Sequence, residues 1–157
     1  MATLVVTHTE TLTLDGRNRS ASKTFSLDVD NIFERTLSVG AAATTIAVFK
    51  STEAITAGAI AVEEAKYIRI TNTDTADNLL LTLGIDASED NTEPSEHISF
   101  SIPPSESFIL GTPHDSAAAS SMMSTDTNLH DIGTIQGRNG TDSTNLKVEI
   151  YVAGKES

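Results

Sequence analysis

Between Tyr67 and Leu110 the chain sets four short apolar runs among polar, turn-rich breaks. They are Tyr67-Ile68-Arg69-Ile70-Thr71, Leu79-Leu80-Leu81-Thr82-Leu83, Ile98-Ser99-Phe100-Ser101-Ile102 and Phe108-Ile109-Leu110. Apolar residues recurring at every second position, bounded by Asn, Asp, Ser and Pro, specify antiparallel strands. The same alternation recurs in Phe25, Leu27 and Val29, in Phe33, Leu37 and Val39 with Arg35 among them, in Thr45–Phe49, in Ile132–Ile135, and in Leu146, Val148, Ile150 and Val152. The expectation is an all-β protein, an antiparallel β-sandwich or jelly roll of about nine to eleven short strands. No strand–helix–strand rhythm and no internal repeat is legible.

Residues 2–14 alternate for longer than one strand usually runs. Thr3, Thr7, Thr9, Thr11 and Thr13 share one side; Leu4, Val6, Leu12 and Leu14 share the other, interrupted by His8 and Glu10. Either this is two strands, or it is an arm that leaves its own core midway. Residues 1–157 are expected to form one domain, with 1–14 as a candidate N-terminal arm. The apolar side of that arm fits an ordinary internal strand or, alternatively, contact with a neighbouring subunit, adding a strand to its sheet edge. Leu4, Val6, Leu12 and Leu14, together with Met122-Met123, are therefore candidate subunit or partner contacts.

Asp15-Gly16 reads as a turn, residues 72–77 as a loop, Pro103–Glu106 as a turn, and 136–145 as a Gly/Asn turn in which Asn139 and Gly140 take positive φ. Residues 51–64 fit either a loose helix or a strand, 86–96 an acidic loop, and 112–130 a surface loop with a helical turn at Ala117–Met123.

Composition narrows the function. The 157 residues include no Cys, which excludes a disulfide scaffold, a zinc-thiolate site and a cysteine nucleophile. The N-terminus lacks the pattern of a signal peptide, and no apolar run nears the roughly 20 residues of a membrane helix. Thr and Ser number 22 and 17, suited to exposed strand faces. The net charge is −12, and residues 51–131 carry all of the excess, with fourteen acids against Lys66 and Arg69. No basic face is legible, so neither nucleic acid nor an anionic membrane is an expected partner. The acidity favours solubility, with docking on a basic partner or cation binding as the alternative.

Reactive constellations are weak. Residues 86–93 alternate oxygen ligands but lack the Gly and the closing Glu of an EF-hand loop. His8, His97, His114 and His130 have no second histidine three or four residues away. There is no Gly-x-Ser-x-Gly turn, and Gly133-x-x-x-Gly137 lacks the Lys of a phosphate loop. Trp is absent, and Tyr67 falls in a strand, as a packing residue rather than a sugar platform. The expectation is a non-enzymatic protein with no catalytic, cofactor or metal residues.

The segments Tyr67–Asn72, Leu79–Leu83 and Phe100-Ser101-Ile102-Pro103-Pro104-Ser105-Glu106-Ser107-Phe108-Ile109-Leu110, with the closing Leu146–Ala153, resemble small structural proteins of tailed bacteriophages. There, a strand ending in Thr-Asn is followed by a Pro-Pro/Gly-x-Glu-x-Phe hairpin. The resemblance covers residues 66–111 and 146–153. It implies a virion protein assembled in the host cytoplasm: a capsid decoration (cement) protein that binds at capsomer junctions. The implied partners are the major capsid protein or other virion proteins, and further copies of itself, with a trimer favoured. Two alternatives stay open: a tail or head–tail accessory protein, or a glycan- or receptor-binding β-module.

Overall fold

A computed structural model describes residues 2–50, 59–61, 64–85, 96–111, 132–141 and 145–155. Every regular element among them is a strand. In chain order these are β1 (Ala2–Glu10), β2 (Thr13–Leu14), β3 (Arg17–Asn18), β4 (Ala21–Val29), β5 (Asn31–Val39), β6 (Thr44–Lys50), β7 (Ile60–Ala61), β8 (Ala65–Asn72), β9 (Leu79–Ile85), β10 (Glu96–Ile102), β11 (Ser107–Gly111), β12 (Ile132–Asn139) and β13 (Leu146–Gly154). The thirteen exceed the expected count because β2, β3 and β7 are two-residue bridges, too short to show a period.

The body is a β-sandwich. A five-stranded sheet ordered β10-β9-β12-β6-β7 faces a four-stranded sheet ordered β11-β8-β13-β5. All ladders are antiparallel except the short β6–β7 contact. The alternation seen in sequence becomes the two inner faces. Ile68, Ile70, Leu146, Val148, Ile150 and Val152 from one sheet pack against Ile46, Phe49, Leu79, Leu81, Ile102 and Ile135 from the other. Each such side chain, fully buried, contributes about 1.5–3 kcal/mol.

Outward positions carry the hydroxyls. Thr71 and Ser107 meet across β8–β11 at 2.8 Å, and Thr82 and Ser99 across β9–β10 at 2.9 Å. Both pairs are directly opposed in register, where cross-strand hydrogen bonds reinforce a ladder. On the edge strand β5, Arg35 stands opposite Ile150 in the core-facing register, yet is exposed. An inward charge at an open edge discourages indiscriminate strand addition.

Two expectations about β12 are corrected. The strand does not stop at Ile135 but runs to Asn139, and neither Asn139 nor Gly140 has positive φ. The reason is packing. A Cβ on Gly137 would lie 2.8 Å from Ile46 Cδ1 and 2.9 Å from Leu79 Cδ1. This glycine makes room for the core rather than turning the chain. The expected Asp15-Gly16 turn is present, with φ of 51° and 74°. Two successive positive values suit the tight turn that matches strand twist. The ambiguous 51–58 stretch, the 86–95 loop and the 112–131 segment lie outside the described residues.

Candidate interaction surface

The alternating run of residues 2–14 forms two strands, β1 and β2, and each is one side of a ribbon. β1 pairs with β4 through nine residues, from Ala2↔Val29 to Glu10↔Ala21. The ladder resumes as β2–β3 and closes at Asp15-Gly16. Between them, Arg19 N–H donates to Leu12 O at 2.8 Å and Leu12 N–H to Ser20 Oγ at 3.2 Å. At ~3.3 Å per residue the nine-residue ladder alone is about 30 Å long.

The two halves of this ribbon differ. Leu4, Val6, Phe25, Leu27 and Val29 lie on one face and cover Tyr67, Tyr151 and Ala153 on the outer face of the four-stranded sheet. Leu27 and Val29 are buried, and Tyr67 is 5% exposed, in edge-on contact with Tyr151 at 6.2 Å. Burial raises the Tyr67 hydroxyl's pKa, partly offset by the nearby Arg69 charge, and Tyr151 pushes it further up. Asp30 N–H donates to Gly154 O at 3.1 Å, and Lys155 sits 3.8 Å from Asp28, tying the ribbon's base to the end of β13.

Beyond Val6 the support ends. Every residue from Thr7 to Thr24 is exposed. What joins the strands there is backbone pairing plus three hydroxyl contacts: the Leu12–Ser20 bond, Thr7–Thr24 at 3.0 Å and Thr9–Ser22 at 3.2 Å. Leu12 and Leu14, near the turn, are 51% and 53% exposed.

The candidate contact residues thus divide. Leu4 and Val6 pack on the chain's own sheet; Leu12 and Leu14 are available for contact; Met122 and Met123 lie outside the described residues. What sequence reasoning missed is the other half of the arm, β3 and β4. Its signal was present in Asp15-Gly16 flanked by two alternating runs.

At the ribbon's base, β5, β7 and β13 leave an apolar cleft of about 260 Å³. Ile32, Phe33, Ile60, Ala61 and Val152 line it, with Asn31 and Glu64 at the polar side. Ile32 is 54% exposed.

The opposite end of the sandwich is polar and closed. Asn72, fully buried, donates through Nδ2 to the carbonyls of Asp77, Ile102 and Pro103 at 2.8, 3.1 and 3.2 Å, and its Oδ1 accepts from Asp74 N–H at 3.1 Å. Asn139, also buried, donates to Asp77 Oδ2 at 3.2 Å, and Thr141 Oγ1 donates to Asp77 Oδ1 at 2.7 Å. Asp74 Oδ1 accepts from the backbone of Asp77 and Ala76, which holds that carboxyl below its ordinary range. These carboxylates brace the 72–78 loop by local Asx-type bonds. Asn72 was expected in a loop; it closes β8 from inside, because its amide can satisfy three carbonyls where strands end.

Among the described residues no group of three His, Asp or Glu side chains is placed to hold a metal ion. His8 and His97 are exposed. The fold and surface define a β-sandwich bearing a two-stranded arm. The chain matches no protein-family model and no curated protein sequence.

Proposed function

We propose that this chain is a non-enzymatic virion structural protein, a capsid decoration (cement) protein that binds at capsomer junctions and stabilises the shell as a homo-oligomer. The observation that carries the reading is the ribbon: the sandwich extends an arm whose outer half buries nothing of its own and ends in exposed Leu12 and Leu14. An arm of that kind adds adhesion, not chemistry.

The strand pairing adds support. β5–β13, β6–β12, β8–β11 and β9–β10 pair, and β13–β8 and β12–β9 join them. We read this as a hairpin of eight strands rolled up, the winding of a jelly roll. Capsid proteins use that winding, as do lectins, so it raises the reading by analogy alone. The sequence resemblance to small phage structural proteins points the same way. On this reading the major capsid protein is the partner, a trimer is the favoured assembly, and several weak attachments through one oligomer sum to firm retention on the shell.

The test is co-sedimentation of the purified protein with empty shells of the phage whose genome carries this sequence. Saturable binding at a fixed ratio to capsomers, with a raised shell melting temperature, is expected. Absence of binding at every salt concentration, or catalytic turnover of a substrate, overturns it.

A further inference from the structure

We infer that the ribbon's tip seats in the cleft at the ribbon base of a second copy of this chain. The contact needs no shell, so it stands or falls separately from the proposed function. An isolated two-stranded hairpin is at best marginally stable in water. Here the stretch from Thr7 to Thr24 has no supporting layer, and its two free edges pair with nothing among the described residues. A neighbour supplies what the chain's own body does not.

Charge selects the neighbour. Residues 11–24 hold Arg17, Arg19 and Lys23 against Asp15, a balance of +2, so the remaining residues carry −14 of the chain's net −12. Glu64 lines the cleft; Asp30, Glu34, Lys66 and Lys155 neighbour its lining residues in the chain, and Lys50 pairs with Ala61. A basic tip therefore meets a second copy whose remaining residues are strongly acidic and whose cleft is lined by Glu64, which favours encounter.

Shape agrees. The cleft of about 260 Å³ accepts a leucine side chain against Ile32, Phe33, Ile60 and Val152. Within one chain the tip lies beyond the far end of a ladder itself about 30 Å long, at ~3.3 Å per residue, and cannot reach this cleft. Two ribbons laid side by side in opposite directions bring each tip to the other's base, an interface that closes on itself. The same contact passed from copy to copy makes a ring.

The absence of Cys makes the test clean. Leu14→Cys and Ile32→Cys are prepared separately, mixed, and oxidised mildly. A disulfide needs Cα atoms within about 7 Å, so only an intermolecular tip-to-cleft contact links the two variants. The expected result is a species of twice the chain mass, abundant in the mixture, scarce in either variant alone, and largely lost when Arg17→Glu and Arg19→Glu are added to the tip variant. Leu12→Cys replaces Leu14→Cys as a second probe of the same contact. No more linked species in the mixtures than in the single variants overturns the inference. Wild-type protein that stays monomeric in light scattering at high concentration also overturns it. If linking fails while shells are still bound, the arm contact falls and the decoration reading stands. Linking without shell binding has the reverse meaning.

Discussion

The sandwich and the ribbon are built from the same alternating sequence, yet only one of them holds itself together. In the body each strand's apolar face meets a second sheet, and Ile68, Leu81 and Ile150 are fully buried. In the ribbon the apolar face meets a layer only as far as Leu4, Val6 and Phe25, then continues into solvent. Alternation sets which side a residue faces. Whether that side finds a partner is decided by the third dimension. A stretch that alternates without a partner is a surface held out for something else.

The widest contrast is in stability. Leu81→Ala in the body is expected to cost about 2–5 kcal/mol by denaturant unfolding. Leu12→Ser and Leu14→Ser are expected to change monomer stability by less than about 0.5 kcal/mol. Equal losses at the two places would break the comparison.

Next is Asn72→Ala. It strips a donor from one buried and two partly buried carbonyls, so a cost of roughly 1–3 kcal/mol is expected, measured the same way. A loss below about 0.5 kcal/mol would show that this end of the sandwich closes without the amide.

Leu27→Ala probes the boundary between the regions, because Leu27 is buried in the small cluster under the ribbon's base. A loss of about 1–3 kcal/mol is expected, with fluorescence of the Tyr67–Tyr151 pair changing in step with unfolding. Smaller still is Glu149→Gln. The Arg69–Glu149 pair is close, at 2.6 Å, but both side chains are partly exposed, so the loss stays below about 1 kcal/mol.

The smallest effect concerns pH. The folded Asp74 carboxyl has a pKa below its ordinary 3.8, because the backbone N–H groups of Asp77 and Ala76 hold the charged form. A depressed pKa stabilises the fold above the unfolded value, and that contribution disappears as pH falls through the folded one. The difference in unfolding midpoint between wild type and Asp74→Asn is therefore constant near neutrality and changes only in acid. A change setting in near pH 7 would contradict the assignment.

Much of the body was legible because its strands are short, apolar at every second residue and stopped by turn residues. Tyr67–Thr71, Leu79–Ile85 and Leu146–Val152 needed nothing more. Position 137 was not legible, because a glycine chosen for close packing looks in sequence like a glycine chosen for a turn. Asn72 and Asn139 were not legible for a related reason. Asparagine is common in loops, and its use as a buried clasp depends on three strand ends arriving at one point. The arm was half legible: its alternation and its break at His8 are in the sequence, whereas its pairing with residues 17–29 depends on treating Asp15-Gly16 as the tip of one hairpin. Leu12 and Leu14 could be nominated as contacts, but only the fold separates them from Leu4 and Val6.

The most direct measurement is amide hydrogen exchange followed at low and high protein concentration. In dilute protein, the amides of Thr7–Glu10 and Ala21–Thr24 are expected to exchange far faster than those of Ile68–Asn72, and to gain protection as concentration rises, while the body's amides stay unchanged. Protection of the outer ribbon that equals the body's in dilute solution, or that never varies with concentration, would contradict the account.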